Sequence, residues 1–186
     1  AWDGLPMAVM SGDIDAIIAG MSPTAERQQT LDFTAPYYES ELVVVVKKDG
    51  PYAAATQLAD FTGAKITGQL NTFHYTVIDQ IPGVVKETAM ETFPAMIVAL
   101  NAGAIDGYIS ERPGALAAVE ANPGLAYVAF EEGKGFTASP EDVAVAVGLK
   151  KGSELTAKIN EVLAGISKEQ RQEIMDSAIA AQPLSE

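Results

Sequence analysis

The sequence has no cysteine and only one histidine among its 186 residues. Without cysteine there is neither a disulfide framework nor a thiolate metal site. With one histidine, carboxylates are the other available metal ligands, and the sequence contains no metal-ligating pattern. The sequence therefore predicts no metal, and we expect no cofactor of another kind.

Basic residues are also scarce. Lysine and arginine number 12 against 25 aspartates and glutamates, which gives a net charge of −13. Because phosphate binding needs clustered basic side chains, this balance argues against a nucleic-acid partner. No apolar run approaches the roughly 20 residues that a membrane-spanning helix needs. The chain begins Ala1-Trp2-Asp3-Gly4, without an initiator methionine or a signal peptide, which is typical of a fragment or a processed chain.

Apolar residues make up 48% of the chain, which is ample for a core, and the length allows one large domain or two small ones. One pattern occurs twice. Residues 10–18 and 100–109 each read as the end of a helix, a glycine stop, an Ile-Asp pair and an apolar strand. Such strands are typical of an α/β sheet that is covered on both faces. The repeat favours two similar α/β lobes, although any α/β protein repeats helix, glycine and strand to some extent.

Hydrophobic periodicity and turn residues predict the other elements. Helices are expected at residues 5–10, 92–100 and 112–121, and two more in the tail, the second opened by the capping-box pattern Ser167-Lys168-Glu169-Gln170. Strands are expected at residues 15–21, 42–48, 65–70, 105–109, 125–130 and 143–151.

Two of these strands, residues 42–48 and 143–151, are rich in valine and end in a lysine pair. The strand at residues 42–48 follows the repeat at residues 10–18, and the strand at residues 143–151 follows the repeat at residues 100–109. We expect them to join the lobes as hinge strands that permit closure around a ligand. This arrangement assigns residues 1–47 and 144–186 to lobe 1 and the inserted residues 48–143 to lobe 2.

Several motifs are more specific than this architecture. They are Trp2-Asp3-Gly4-Leu5, Gly12-x-Ile14-Asp15, Ser22-x-Thr24-x-Glu26-Arg27, Asp32-Phe33-Thr34-x-Pro36-Tyr37-Tyr38, Gly103-x-Ile105-Asp106 and Ser110-Glu111-Arg112-Pro113. Together they resemble the extracellular solute-binding proteins of polar amino-acid ABC importers, solute-binding protein family 3, over the whole chain. The resemblance implies an α/β fold of the periplasmic-binding-protein-like type II class. It implies two lobes joined by two hinge strands, with the first strand–helix unit of lobe 1 missing.

The same resemblance implies the substrate-binding component of an ABC importer. Such a protein captures a polar or cationic L-amino acid, here arginine, histidine, lysine or glutamine, between two lobes and delivers it to the membrane permease. We expect a monomer without catalytic activity, made with a signal peptide in the precursor. We expect it outside the cytoplasm, either periplasmic or lipid-anchored on the outer face of the cell membrane. Two alternatives stay open: a ligand-sensing domain of a larger receptor or fused transporter, and a dehydratase-like enzyme on the same fold.

A free amino acid presents a carboxylate and an ammonium, and each needs a partner once water is excluded. Arg27 suits the carboxylate, because a guanidinium can bind it through two parallel hydrogen bonds. The alternative is a solvated arginine on a polar turn. The resemblance assigns Ser22 a position close to both ligand charges and the Gly20 carbonyl a bond from the ammonium. Ser22 is alternatively a plain helix cap.

In lobe 2, Asn71 and Thr72 are predicted to start a helix, where N–H groups and a hydroxyl favour an anion. The resemblance assigns Thr72 a carboxylate contact. The family commonly reads Gly-Thr-Thr or Gly-Ser-Thr here, and Phe73 departs from that pattern. The resemblance also makes Glu111 the partner of the ligand ammonium. The alternatives are a plain cap for Thr72 and, for Glu111, an acidic residue that favours a helix N-terminus.

Trp2 and His74 complete the candidates. The resemblance aligns Trp2 with a position that packs on the ligand side chain, which would favour a flat or cationic side chain. The alternative for Trp2 is a core residue. His74 lies just inside the predicted helix of lobe 2, and we expect it to be a solvated surface residue.

Overall fold

A computed structural model describes residues 2–181 of the protein. The described chain divides into two compact units. Unit 1 contains residues 2–40 and 139–178, and unit 2 contains residues 41–138 together with 179–181. The lobe limits expected from the sequence, after residues 47 and 143, lie a few residues further along the chain than these boundaries and stay a prediction.

The secondary structure alternates short strands with helices. The helices are α1 (Leu5–Ser11), α2 (Phe73–Thr76), α3 (Phe93–Ala102), α4 (Arg112–Ala121), α5 (Pro140–Val143), α6 (Leu155–Ala164) and α7 (Lys168–Ala180). The strands are β1 (Ala16–Ile17), β2 (Leu31–Phe33), β3 (Tyr38–Glu39), β4 (Leu42–Lys47), β5 (Lys65–Thr67), β6 (Val85–Lys86), β7 (Gly107–Glu111), β8 (Leu125–Val128), β9 (Ala144–Val145) and β10 (Gly148–Lys150). Short 3-10 helices cover Trp2–Gly4, Arg27–Gln29, Leu58–Phe61 and Val77–Gln80.

Glycine ends both helices of the repeated pattern, as the sequence predicts. Gly12 follows α1 with φ +87°, and Gly103 follows α3 with φ +75°. Each donates its N–H to the last carbonyls of its helix, those of Ala8 and Val9 in one case and of Ala99 and Leu100 in the other. A side chain is strained at this left-handed φ, so glycine is the residue that ends each helix at the predicted place.

Unit 1 is built on a three-stranded antiparallel sheet in the order β1-β10-β2, and a second pair joins β3 to β9. Its hydrophobic cluster contains the buried residues Val9, Ile17, Met21 and Leu31. The strand expected at residues 15–21 is wrong in length, because β1 contains two residues. The next residue, Ile18, is 70% exposed, so this apolar run is not buried on both faces.

Unit 2 is built on a five-stranded mixed sheet in the order β6-β5-β7-β4-β8. Strand β4 lies between β7 and β8, antiparallel to both, while β5 runs parallel to β6 and β7. Val44 and Val46 belong to one buried cluster and Val43 and Val45 to another, as the alternation of side chains along a strand requires. The sheet therefore carries a hydrophobic core on each face, and β4 confirms the strand predicted at residues 42–48.

The second valine-rich segment differs from its prediction. Residues 143–151 do not form one strand but two, β9 and β10, which belong to different sheets. Between them, the N–H of Ala146 donates to the carbonyl of Met21 and the N–H of Val147 donates to Thr34 Oγ1. These bonds to loop residues interrupt the ladder, and nothing in the valine pattern marks the interruption.

The tail contains the two predicted helices, α6 and α7. Ser167 and Gln170 form the predicted capping box: each side chain accepts a hydrogen bond from the other residue's N–H, at 2.9 and 3.2 Å. The apolar face of α6 is not fully buried, since Val162 is 67% and Leu155 is 42% exposed. Within residues 2–181, no helix combines the length and the apolar character that crossing a membrane requires.

Candidate functional site

Arg27 is positioned by a short turn in unit 1. It opens the 3-10 helix Arg27–Gln29, and its N–H lies 3.4 Å from Thr24 Oγ1. The guanidinium donates from Nη1 to the carbonyl of Ser22 at 3.0 Å, and its carbon lies 5.8 Å from the centre of the Trp2 ring. The side chain is half-buried. Arg27 is therefore held by specific contacts rather than solvated on the turn, and a half-buried guanidinium near an aromatic ring is well suited to bind a carboxylate.

Ser22 does not cap a helix. It is 2% exposed, and its hydroxyl donates to the carbonyl of Asp142 at 2.7 Å, which ties the loop to helix α5. A serine hydroxyl has one proton and two acceptor lone pairs. Because the proton is already donated to Asp142, any further hydrogen bond of the Ser22 oxygen must be one that it accepts.

Gly20 and Asn71 share a backbone feature. Gly20 has φ +71°, and Asn71, with φ 58°, is the one non-glycine residue at positive φ in the described chain. A Cβ added at Gly20 would meet no atom within 4 Å, so its backbone conformation and not crowding favours glycine there. Asparagine tolerates the left-handed region better than most residues. Asn71 can therefore adopt the left-handed conformation at the position where the resemblance led us to expect glycine.

Thr72 is buried and precedes α2, as predicted, but its hydroxyl does not cap that helix. The hydroxyl donates instead to the carbonyl of Gln69 at 2.8 Å and lies 3.1 Å from His74 Nδ1. Helix α2 is a single turn of four residues. The anion-binding contribution of a helix dipole is small for so short a helix.

His74 is buried, so the expectation of a solvated surface residue is wrong. It is 6% exposed, its ring stacks on Phe73 at a centroid distance of 4.5 Å, and the ring of Phe93 packs edge-on at a centroid distance of 6.3 Å. The sequence offers a weak signal of this burial, because Val77 and Ile78, three and four positions later, are apolar and buried in the 3-10 helix that follows α2. Other contacts that bury the ring come from residues far away in the sequence.

Glu111 ends β7 and immediately precedes α4. Its side chain makes no capping hydrogen bond to that helix. Its carboxylate oxygen Oε1 lies 3.6 Å from His74 Nε2, and the side chain is 22% exposed. The carboxylate is thus turned toward the histidine and stays partly accessible, as a group that meets a ligand must be.

The structure brings the candidates together in two sets. In unit 1, Arg27 contacts both Trp2 and Ser22. In unit 2, His74 links Thr72 to Glu111. Trp2 also packs against the hydrophobic cluster of unit 1, so the core interpretation and the stacking interpretation both apply to it. Among residues 2–181 no group of three or more acidic or histidine side chains could hold a metal ion.

Comparison with known proteins identifies the family. A family model for the bacterial extracellular solute-binding proteins, family 3, matches residues 1–179. The ABC transporter arginine-binding protein 1 of Escherichia coli K12 is 29% identical over 174 residues, which are 89% of this chain and 66% of that protein. A probable histidine-binding protein of Campylobacter jejuni is 32% identical over 138 residues, which are 73% of this chain and 53% of that protein. The chain thus spans between half and two thirds of the length of these two relatives.

Solved structures agree with this assignment. The arginine-bound substrate-binding protein AbpA of Streptococcus pneumoniae superposes with a TM-score of 0.81 at 25% identity, over 100% of this chain and 76% of that chain. An ancestral arginine-binding protein bound to arginine gives a TM-score of 0.74 at 31% identity, over 95% and 76% of the two chains. These matches confirm the α/β, periplasmic-binding-protein-like type II fold. Because the family model matches residues 1–179 of the 186, the chain belongs to the bacterial extracellular solute-binding proteins, family 3.

Proposed function

We propose that this protein is the substrate-binding component of an ABC importer and binds a free polar or cationic L-amino acid. Arginine, histidine, lysine and glutamine are the candidate ligands. The observation that carries the proposal is the arrangement of Arg27, half-buried over Trp2 and hydrogen-bonded to the Ser22 carbonyl. Such an arginine presents a preorganised guanidinium to a carboxylate, and preorganisation lowers the entropic cost of binding.

Unit 2 supports the other half of the proposal. Glu111 is a partly exposed carboxylate beside the buried ring of His74, and it suits an ammonium. A free amino acid carries one carboxylate and one ammonium, so Arg27 and Glu111 match its two charges. Ser22 and the carbonyl of Gly20 are proposed as additional acceptors for the ammonium. Asn71 and Thr72 are proposed as contacts of the carboxylate through backbone N–H groups, because the hydroxyl proton of Thr72 is donated to Gln69.

The relatives support the ligand class without selecting one member. Their names include arginine-binding, histidine-binding, L-cystine-binding and glutamine-binding proteins, and all of these are binding proteins rather than enzymes. We propose that Trp2 packs on the ligand side chain, which favours arginine among the candidates. On the basis of the family, we also propose that the partner is a membrane permease, that the protein lies outside the cytoplasm, and that it is a monomer.

The proposal is tested by thermal unfolding in the presence of each of the twenty amino acids. A ligand at about 1,000 times its Kd stabilises the folded state by about 4 kcal/mol, which gives a clear shift in Tm. We expect a shift with one or a few polar or cationic amino acids. The absence of a shift with all twenty would overturn the proposal.

Two variants then test the assigned roles. Arg27→Ala and Glu111→Gln each remove one charge partner, and we expect each to weaken binding at least about 30-fold. Arg27→Lys keeps the charge but loses the planar fork, so binding should recover only in part. Glu131→Gln is the matched control, because Glu131 forms an exposed ion pair with Lys134 in unit 2. Unchanged affinity in Glu111→Gln would refute its role.

A further inference from the structure

The tautomer of His74 follows from the hydrogen bonds of Thr72. A threonine hydroxyl has one proton, and Thr72 donates it to the carbonyl of Gln69 at 2.8 Å. The same oxygen lies 3.1 Å from His74 Nδ1 and can therefore only accept there. With the Thr72 hydroxyl oriented in this way, we assign a proton to Nδ1. In the neutral imidazole this leaves Nε2 without one.

The unprotonated nitrogen faces a carboxylate. Nε2 is buried and has no hydrogen-bond partner, and the atom Oε1 of Glu111 lies 3.6 Å away. Two acceptors at this distance repel each other, and a buried acceptor without a donor is costly. A second proton on the imidazole removes both problems, since Nε2–H then donates toward the carboxylate and the two groups form an ion pair.

Among the ring contacts and ion pairs that the structure describes for His74, Glu111 is the charged partner. Helix α2 itself contributes Phe73 and α3 contributes Phe93, while the backbone at Gly68 contacts the backbone of His74. Tyr108 on β7 lies behind Phe93 at 6.0 Å, and burial raises its pKa, so it stays neutral. Tyr75 on α2 faces Lys86 instead, whose ammonium lies 4.3 Å from its ring centre.

We propose that His74 is a positioning residue that sets the charge available at Glu111, so that amino-acid binding strengthens as His74 loses its second proton. The inference rests on the proposed function, in which Glu111 meets the ligand ammonium. At low pH the imidazolium occupies the carboxylate and the ammonium must compete with it. At higher pH the imidazole is neutral, Glu111 regains its full negative charge, and the ammonium becomes its partner. Because Nε2 is buried, His74 acts on the ligand through Glu111.

The first test uses the fact that this is the single histidine of the chain. Its imidazole nitrogens give one unambiguous set of NMR signals, without any ligand present. We expect the neutral form to carry its proton on Nδ1 and the signals to change in Glu111→Gln but not in the control Glu131→Gln. A neutral form protonated on Nε2 would overturn the inference.

The second test measures L-arginine binding by calorimetry between about pH 5.5 and pH 8, the range in which histidines change charge. We expect binding to be about tenfold weaker at the acidic end, as the loss of one charge-assisted hydrogen bond implies. Binding at intermediate pH should also release protons, detected by comparing buffers of different ionisation enthalpy. His74→Gln should abolish the pH dependence. His74→Phe, which keeps the stacking on Phe73, serves if the glutamine variant does not fold.

The outcomes separate this inference from the proposed function. Binding that is tight at all pH values, in the wild-type protein and in both variants alike, would overturn the role of His74 and leave amino-acid binding intact. Failure of all twenty amino acids to bind at any pH would overturn the proposed function and the inference with it. A purely structural role for His74 predicts lower stability in the variants without loss of the pH profile.

Discussion

The two units differ in how completely their sheets are covered. In unit 2, strand β4 buries four consecutive valines, two in each of two hydrophobic clusters. In unit 1, the cluster has four buried members, and three large apolar side chains nearby in sequence stay exposed: Met7 at 66%, Met10 at 40% and Ile18 at 70%. Similar apolar segments thus reach different degrees of burial, because burial needs a covering layer on each face of the sheet.

The covering layers explain the difference. In unit 2, residues of α3 and α4 such as Met96, Leu100 and Ala115 pack in one cluster, and the 3-10 segments contribute Phe61 and Ile78 to the other. In unit 1, α1 contributes Val9, whereas no residue of α6 or the described part of α7 is buried. We therefore expect unit 2 to be the more stable of the two.

The largest effect should come from the core of unit 2. Phe61 is fully buried and packs on Tyr52 and Phe130 at ring-centre distances of 5.6 and 6.3 Å. We expect Phe61→Ala to lower the free energy of unfolding by about 3–5 kcal/mol, because it leaves a cavity between these rings. Urea denaturation measures it. Val98→Ala, at a position 68% exposed, is the control and should change stability by less than about 0.5 kcal/mol.

Unit 1 should respond less to the same kind of change. Leu31 is fully buried in its cluster. We expect Leu31→Ala to lower the free energy of unfolding by about 2 kcal/mol, which is at the low end for such substitutions. The reason is that a thinly covered core can relax into the cavity. Ile18→Ala at the exposed position should be nearly neutral. A larger loss for Leu31→Ala than for Phe61→Ala, measured by the same denaturation, would contradict the comparison.

A backbone contact in unit 2 should give an intermediate effect and reach the site. A Cβ at Gly68 would lie 2.8 Å from the carbonyl carbon and oxygen of His74, which are backbone atoms with little freedom to move. We expect Gly68→Ala to destabilise the fold by about 1–3 kcal/mol and to alter the imidazole NMR signals of His74. Gly124→Ala is the matched control, since a Cβ there meets nothing within 4 Å and its φ is not positive. Identical imidazole spectra in the wild-type protein and Gly68→Ala would count against the contact.

The smallest expected effect is the contribution of Asp32, in unit 1, to the pH dependence of stability. The N–H of Gly152 donates to Asp32 at 2.7 Å, and the Lys151 ammonium lies 3.0 Å from the same carboxylate; together they hold the pKa of Asp32 below its ordinary value. A lowered pKa in the folded state stabilises the protein above the ordinary value, and this stabilisation is lost as the pH falls through the lowered one. Asp32→Asn should therefore lose less stability than the wild-type protein between about pH 5 and pH 2. If the free energy of unfolding fell equally with pH in the wild-type protein and in Asp32→Asn, the contribution of the Asp32 carboxylate to stability would be excluded.

Features that depend on neighbours in sequence were predictable. Gly12 and Gly103 end their helices because of a backbone angle, and the capping box at Ser167 forms within one turn. Helix α4 has the predicted limits, and β4 lies where the valine run indicates. The motif around Arg27 pointed to the family, which comparison then confirmed.

Features that depend on contacts between distant segments were predicted less well. His74 was expected at the surface, but its burial depends on Phe93 and Glu111, which follow it by 19 and 37 positions in the sequence. Ser22 was weighed as a helix cap, but its hydroxyl bonds to Asp142 in the other segment of unit 1. The division of residues 143–151 into two strands depends on hydrogen bonds that Ala146 and Val147 donate to Met21 and Thr34.

The sequence by itself determined the helix ends, the buried strand of unit 2 and the family, because each rests on local backbone geometry or on a motif read along the chain. The tertiary structure alone decided which apolar segments are covered, where the valine-rich segment breaks, and that a buried histidine stands behind Glu111. Burial and hydrogen-bond partners are properties of the packed chain, and side chains far apart in sequence meet only after folding has closed the loops between them.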